Sequence, residues 1–309
     1  MRHLACLLFC ALASLTGTAH ALDTVILDAP DSAIDRRNDY TTRLLTAILD
    51  RTRAQFGPYK LRYAPVYMYR DRLRSELLTG QNVNVTAKAT RPDWENSDLI
   101  TIRIPVDKGI TDYHLFLINR EDQEKFHHID SLDELRQLRL GVGHAWSSRE
   151  IFLAAGFSVE SVVNWENLYK MLEAHRFDYF PRALSEIFVE YDDRHATYPE
   201  MAIEDSLMLY FPLPKYFFVS PQSPRLARRI ESGFQAMIRD GSFDHLFMAY
   251  HKPLIERARF CSRRILRMEN PQLSSLTPLG HPEYWFDPYE DSRKGDTSAW
   301  CHRQGISRN

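Results

Sequence analysis

The turn Gly141–Ser148, with the sequence GVGHAWSS, carries the residue types best suited to hold a small ligand. Its glycines let the backbone approach a bound molecule closely. A helix that begins near Ser147 presents free N–H groups and the positive end of its dipole. Ser148 adds a hydroxyl, Trp146 adds a flat aromatic face, and His144 stands in the same turn. The alternative is an ordinary turn with a serine cap and a packed tryptophan.

Arg182 is the second candidate because it follows the apolar strand segment FDYFP. In open α/β sheets, ligands bind beyond the carboxyl ends of the strands. Arg182 is therefore predicted to offer a positive charge to a ligand. The alternative is an ion pair with Glu186, four residues on along a helix, which contributes about 0.3–0.5 kcal/mol.

The motifs of several enzyme classes are absent from the sequence. It contains neither the G-x-S-x-G of a nucleophile elbow nor the H-E-x-x-H of a zinc protease. Walker A and G-x-G-x-x-G patterns are also missing. His127 and His128 are adjacent in a polar segment, which suits exposure to solvent better than metal binding. The sequence predicts no enzyme, cofactor or metal site.

The composition is that of an ordinary globular protein, with 309 residues of which 44% are hydrophobic and 26% charged. The 39 Lys and Arg residues nearly balance the 41 Asp and Glu residues, so the formal net charge is −2. A nearly neutral chain has no bulk electrostatic attraction to nucleic acid or to an anionic membrane. We expect neither as a partner.

Residues 1–21 have the pattern of a secretory signal peptide. Arg2 and His3 precede the apolar run LACLLFCALASL, and Ala19-His20-Ala21 supplies a small-residue cleavage site. The apolar run is shorter than the roughly 20 residues that a membrane-spanning helix needs. We expect cleavage after Ala21 and export of a soluble protein to the periplasm.

Two cysteines, Cys261 and Cys301, remain after that cleavage. In an oxidising compartment they can form a disulfide. Such a bridge would fasten the last 40 or so residues to the preceding helix and stabilise by roughly 3–4 kcal/mol. The alternative is two unpaired thiols.

Strand-like and helix-like segments alternate along the chain, which indicates βαβ units on a parallel sheet. Apolar positions recur at helical spacing over 36–56, and Gly57-Pro58 ends that helix. Asp240-Gly241 is predicted to break the helical stretch 224–251. Further helices are predicted at 69–79, 131–138, 147–155, 166–175 and 184–191, and strands at 24–30, 59–66, 83–89, 113–118, 138–143, 161–165 and 176–183.

The order of these segments resembles that of the family 3 extracellular solute-binding proteins, which have the type II periplasmic binding fold. The similar segments are RNDYTTRLLTAIL, TIRIPVDKGITDYHLFLI, SLDELRQLRLGVGHAWSS, MLEAHRFDYFPRALSEI and ARRIESGFQAMIRDGSFDHLFMAYH. FDYFPR resembles a stand-alone branch that has no assigned ligand. The resemblance implies an α/β fold with two lobes, each a mostly parallel sheet flanked by helices. Two hinge crossovers join the lobes, and closure traps a small molecule between them.

By the same resemblance, lobe one comprises residues 22–107 and 213–261, and lobe two comprises 108–212. The tail 262–309 is rich in proline, serine and aromatic residues. We expect an irregular strap over the surface, not a further domain.

The family's binding residues are carried over only in part. Thr90 and Arg91 resemble a T…R segment whose arginine grips an α-carboxylate. Two registers are possible, because aligning Thr86 with the family threonine makes Arg91 the matching arginine, whereas aligning Thr90 puts Trp94 there. In amino-acid binders of this family an aspartate near position 182 holds the ligand's amino group. Since Arg182 has the opposite sign, we expect an anionic ligand.

Two other functions remain open at this point. Relatives with dehydratase activity need a carboxylic acid in the cleft, and Glu150 is the candidate for that role. A ligand-sensing partner of a membrane signalling protein is the second alternative. For the binding protein itself, the resemblance implies a monomer that works with an ABC permease or a membrane sensor.

Overall fold

The protein is described by a computed structural model, which covers residues 22–30 and 38–288. It is a mixed α/β structure. The strands are β1 (Asp23–Leu27), β2 (Tyr59–Tyr63), β3 (Val85–Ala89), β4 (Ile100–Ile102), β5 (Tyr113–Asn119), β6 (Arg139–Gly143), β7 (Ser158–Val162), β8 (Tyr179–Ala183), β9 (Met201–Ile203), β10 (Leu207–Tyr210), β11 (Lys215–Val219) and β12 (Arg264–Arg267).

The helices alternate with these strands as the sequence predicts. They are α1 (Asp39–Arg51), α2 (Arg53–Phe56), α3 (Arg70–Thr79), α4 (Pro92–Glu95), α5 (Gln123–His127), α6 (Leu132–Arg136), α7 (Ser147–Ala154), α8 (Asn167–Glu173), α9 (Leu184–Arg194), α10 (Pro224–Arg239) and α11 (Ser242–Ala258). The predicted break at Asp240-Gly241 is confirmed, because Gly241 takes the left-handed conformation between α10 and α11.

Lobe one contains a layer of five strands in the order β2, β1, β3, β11 and β4. β1 pairs with β2 in parallel, and β11 pairs with β3 and β4 in antiparallel fashion. Asn84 joins the two parts, because its side chain accepts from the amide of Ile26 at 2.8 Å and donates to the carbonyl of Thr24 at 2.7 Å. Helices α1, α10 and α11 pack against one face of this layer.

Lobe two contains a seven-stranded sheet in the order β12, β10, β5, β8, β6 and β7, with β9 also paired to β5. β5 is antiparallel to its three partners, and the other paired strands run parallel to one another. In each lobe, the strand that follows a crossover, β5 or β11, is thus antiparallel to the strands it pairs with. The first crossover leads from β4 to β5 and the second from β10 to β11.

The first residues of the tail form a regular strand, which differs from the predicted irregular strap. Residues Arg264–Arg267 form β12, which pairs in parallel with Leu207–Tyr210 and extends the sheet of lobe two. The tail gains regular structure because β10 offers an unpaired edge whose backbone groups need partners. A second difference concerns β7, which begins at Ser158, three residues before the predicted strand 161–165.

The tail then runs across both crossovers. The side-chain amide of Asn270 donates to the carbonyl of Pro212 at 2.9 Å, and the amide of Phe286 donates to the carbonyl of Lys108 at 2.7 Å. The ammonium of Lys108 donates to the carbonyl of Glu283 at 2.6 Å. These bonds fasten residues 268–288 to the segments at which the lobes meet.

Several predictions concern residues outside the described part of the chain. The signal peptide, residues 1–21, and Cys301 lie there. Cys261 is disulfide-bonded, and its pairing with Cys301 stays a prediction. Within residues 22–30 and 38–288, no helix combines the length and the apolar character needed to cross a membrane.

Candidate ligand-binding site

A small cavity lies in lobe one where β1 ends and α1 begins. Asn38 stands at the N-cap of α1, and no side chain among the described residues caps the helix there. Asp39 lies in the first turn, where a negative charge interacts favourably with the helix dipole. The cavity is lined by Leu27, Asp28, Asn38, Thr41, Thr42, Tyr63 and Ala87.

Asp28 supplies the carboxylate of this cavity, and Lys88 already compensates its negative charge. Its side chain accepts from the hydroxyl of Thr86 at 2.5 Å and from the ammonium of Lys88 at 2.7 Å. Asp28 is 6% exposed. A buried carboxylate with these two partners forms a neutral unit and has little need of a cationic ligand.

Lys215 begins β11 directly after the second crossover. Burial lowers the pKa of Lys215, whereas the charge of nearby Asp107 raises it. Lys88 in lobe one and Glu186 in lobe two are also close enough to affect this pKa. The pKa of Lys215 is thus affected by charges in both lobes and in the first crossover.

The aromatic face of Trp146 is already in contact with protein groups. The side chain folds back over Gly143, where a Cβ atom would lie 2.5 Å from the indole. The Trp146 and Phe180 rings stack with centroids 5.9 Å apart, and the guanidinium carbon of Arg182 lies 4.2 Å from the Trp146 centroid. Gly143 is therefore required for this close approach.

Arg182 occupies the ion pair that the sequence offered as its alternative role. Its guanidinium lies 3.0 Å from the carboxylate of Glu186 and also binds Glu190 through two hydrogen bonds. Burial lowers the pKa of Arg182, but the two glutamates more than offset this effect and raise it. Tyr169 donates to the same carboxylate of Glu190 at 2.8 Å. With two carboxylates on one guanidinium, this group carries no uncompensated positive charge.

The remaining residues of the predicted lobe-two turn are more accessible. Helix α7 begins at Ser147, as predicted, but its N-cap is Trp146, and no side chain caps it. Ser147 and Ser148 are half-buried, and His144 is exposed. The backbone of His144 donates to the carbonyl of Val162 at 2.8 Å.

Thr90 and Arg91 follow β3 in lobe one and engage local partners. The hydroxyl of Thr90 donates to the carboxylate of Glu95, and Arg91 pairs with Asp93 at 2.9 Å. Thr86, the other threonine of the two registers, lies inside β3 and bonds to Asp28. The structure therefore brings Thr86, and not Thr90, next to the cavity.

Glu150, the candidate acid of a dehydratase, lies in the first turn of α7 and pairs with Arg149. Its side chain is 56% exposed. Catalysis of this kind needs a carboxylic acid that burial keeps protonated, and this position does not provide it. No metal site of three or more His, Cys, Asp or Glu side chains exists in the described ranges 22–30 and 38–288.

Sequence reasoning missed Asp28, Lys88 and Lys215. Asp28 was detectable, because a charged residue directly follows the apolar segment TVIL, which is the same signal that identified Arg182. Lys88 and Lys215 gave no such signal, since each lies within or next to a strand. Only the pairing of β11 with β3 brings Lys215 to this site.

Comparison with known proteins identifies the fold. No protein-family model and no curated protein matches the chain. Many solved structures do, among them an ancestral arginine-binding protein bound to glutamine, at 15% identity and a TM-score of 0.52, covering 75% of this chain and 99% of that one. An arginine transport-system periplasmic binding protein from Legionella pneumophila matches at 12% identity and a TM-score of 0.52, with 74% and 100% covered.

The chain has the two-lobed fold of periplasmic amino-acid-binding proteins. The ancestral protein bound to arginine agrees, at 16% identity and a TM-score of 0.50, with 74% and 97% covered. The predicted α/β fold with two lobes is thus confirmed. At these identities the likeness concerns the fold alone.

Proposed function

We propose that the protein is an exported solute-binding protein that holds a small anionic organic molecule between its lobes. The observation that carries this proposal is the position of Lys215. It lies at a hinge crossover, near Glu186 of lobe two, beside a lobe-one cavity lined by Asp28 and the N-terminus of α1. Ligands of open α/β sheets bind at such strand ends.

The charges of the cleft favour an anion. Asp28 is matched by Lys88, and Arg182 is matched by Glu186 and Glu190. The N-terminus of α1 adds the positive end of a helix dipole, which attracts negative groups. The anionic group is therefore assigned to the side of Lys215 and not to Arg182, whose guanidinium is already paired.

The protein is proposed to act without catalysis, in the periplasm, after removal of residues 1–21. Its proposed partner is an ABC permease or a membrane sensor. Uptake of a labelled ligand by cells that lack the gene separates these two. Lost uptake supports transport, and normal uptake with an altered response to the ligand supports sensing.

The binding proposal is tested by thermal unfolding of the purified protein against organic acids, amino acids, polyamines and sugars. A ligand at 100 times its Kd stabilises by about 2.7 kcal/mol. At roughly 2–4 °C per kcal/mol, Tm should rise by several degrees. Organic acids are expected to produce the rise. A rise with polyamines alone would overturn the anionic ligand, and no rise with any compound would overturn small-molecule binding.

A further inference from the structure

Two side chains that the proposed function has not used, Tyr40 and His251, pack against each other near Lys215. Tyr40 lies in the first turn of α1 and His251 lies in α11, and their ring centroids are 4.5 Å apart. Lys215 is close enough to His251 for its charge to lower the pKa of that imidazole. The charges of Asp107 and Asp244 raise the pKa of Tyr40. The ring pair is therefore close to one cation and to two carboxylates.

Tyr40 and His251 each have a buried polar atom that lacks a hydrogen bond. Both side chains are 5% exposed. The Tyr40 hydroxyl and Nε2 of His251 have no hydrogen-bond partner within the described residues. A buried polar atom without a hydrogen bond costs free energy, and two such atoms side by side are unusual. An acceptor supplied by a ligand would remove this cost.

Lys215 connects this region to the cavity. Alternate residues of a strand share a face, so Lys215 lies on the same side of β11 as Phe217, which packs in the core formed with α1, α10 and α11. Lys215 is opposite Ala89 in the ladder to β3, and Ala87 lines the cavity. Two residues along a strand span about 7 Å. Lys215 thus lies on the same face as Ala87, one pleat nearer to the crossover.

The charge of Lys215 is not taken up by an ion pair. Among the described residues, no carboxylate lies within the 4.0 Å that defines an ion pair with this ammonium. Asp107 is the nearest acidic influence, but it accepts from the amide of Gly109 at 3.2 Å and from the hydroxyl of Thr111 at 2.9 Å. In the His251 tautomer that carries its proton on Nε2, one cation and two unsatisfied donors suit an oxygen-rich anionic group.

We infer that Lys215, Tyr40 and His251 form a carboxylate subsite, and that the ligand is a small organic acid without an α-amino group. The inference rests on the proposed function and names its ligand class. An ammonium group needs a free carboxylate. Asp28 is held by Thr86 and Lys88, however, and the two glutamates of lobe two are held by Arg182. Near Tyr40, Asp244 is paired with Lys108 at 2.6 Å. Burial raises the pKa of Asp112 well above its ordinary value, which favours its uncharged form.

The test is calorimetric titration of the full protein with three matched pairs of probes. They are glutarate and glutamate, 4-methylvalerate and leucine, and 3-phenylpropionate and phenylalanine. Within the pair that binds, the deaminated acid is expected to bind about 10- to 100-fold more tightly, because the amino group has no free acceptor. An α-amino acid that binds as tightly as its deaminated partner overturns the ligand class.

Variants then test the subsite itself. Lys215→Met keeps the length of the side chain and removes the charge, and it is expected to weaken acid binding by about 10- to 100-fold. Lys60→Met, at an exposed lysine of β2, is the control and should leave affinity unchanged. Unchanged affinity in Lys215→Met overturns the subsite.

Tyr40→Phe and His251→Phe separate binding from a structural role. Each removes a polar atom that has no hydrogen-bond partner among the described residues, so the Tm of the unliganded variant should stay equal or rise. Acid binding should weaken in both. Lower Tm with unchanged affinity would overturn the subsite. If other compounds of the panel bind while these variants have no effect, the proposed function survives and only the subsite fails. If nothing binds, both fail.

Discussion

The guanidinium carbon of Arg182 lies 4.2 Å from the centroid of the Trp146 ring. The two residues that the sequence indicates most strongly as ligand contacts therefore contact one another. Arg182 is only 7% exposed, and it is held by Glu186 and Glu190 on its other side. These contacts hold Trp146 and Arg182 in place without a ligand.

The first prediction follows from that cluster. Arg182→Met should lower the free energy of unfolding by about 3–5 kcal/mol, because Glu186 and Glu190 lose the charge that compensates them. Urea unfolding at pH 7 measures this loss. Adding Glu190→Gln should recover part of it. A variant with full stability and lost affinity would contradict this and restore the ligand role of Arg182.

The second prediction concerns His114, which stacks on Phe211 with ring centroids 4.5 Å apart. Burial lowers the pKa of His114 to about 4, against about 6.5 in an unfolded chain. Between these values the unfolded state binds a proton that the folded state does not, so acid destabilises the protein. His114→Phe lacks this effect.

The stability of the wild type relative to His114→Phe should thus fall by roughly 2 kcal/mol between pH 7 and pH 4.5. Urea unfolding of both proteins at several pH values measures the difference. A difference that stays constant with pH would show that His114 titrates normally in the folded protein.

The third prediction concerns Asp112, which is fully buried beside the crossovers. Both of its side-chain oxygens lack a hydrogen-bond partner within the described residues. Burial raises the pKa of Asp112 well above its ordinary value, and the charge of Asp107 raises it further. The folded state therefore keeps a proton that the unfolded state loses above about pH 4.

The sign is opposite to that of the histidine, because here stability falls as pH rises. Asp112→Asn removes the ionisable group, so its stability relative to the wild type should rise from pH 4.5 to pH 6.5. Parallel denaturation curves at the two pH values measure it. Equal differences at both values would contradict a buried, protonated Asp112.

The fourth prediction compares two glycines with positive φ. Gly109 has φ +68°, and a Cβ there would lie 2.8 Å from the Trp285 ring, whereas Gly156 has φ +82° and open space around it. Gly156→Ala should cost about 1–2 kcal/mol from the backbone alone. Gly109→Ala should cost about 1–3 kcal/mol more because the ring must move. Equal losses of unfolding free energy in the two variants, measured in urea, would show that Trp285 of the tail does not pack closely against Gly109.

Much of the local structure could be predicted from the sequence because its signals are local. Ser131 and Glu134 form a capping box at the start of α6, inside the predicted helix 131–138. Gly80 takes the left-handed conformation at the end of α3, directly after the predicted helix 69–79. β12 was missed, because its four residues become a strand only beside the free edge of β10.

By itself, the sequence determined the alternation of strands and helices and most of their ends, and the resemblance of its segments to a known family implied the two-lobed α/β fold. Each of these depends on residues a few positions apart. Only the tertiary structure decided which charges remain available. Lys88 finds Asp28 across 60 positions, and Arg182 is bound by Glu190 on the far turn of α9. Lys215 is left unpaired beside Tyr40 and His251 from distant helices. A ligand site depends on what charge remains after such long-range pairs have formed, and those pairs exist only in the folded chain.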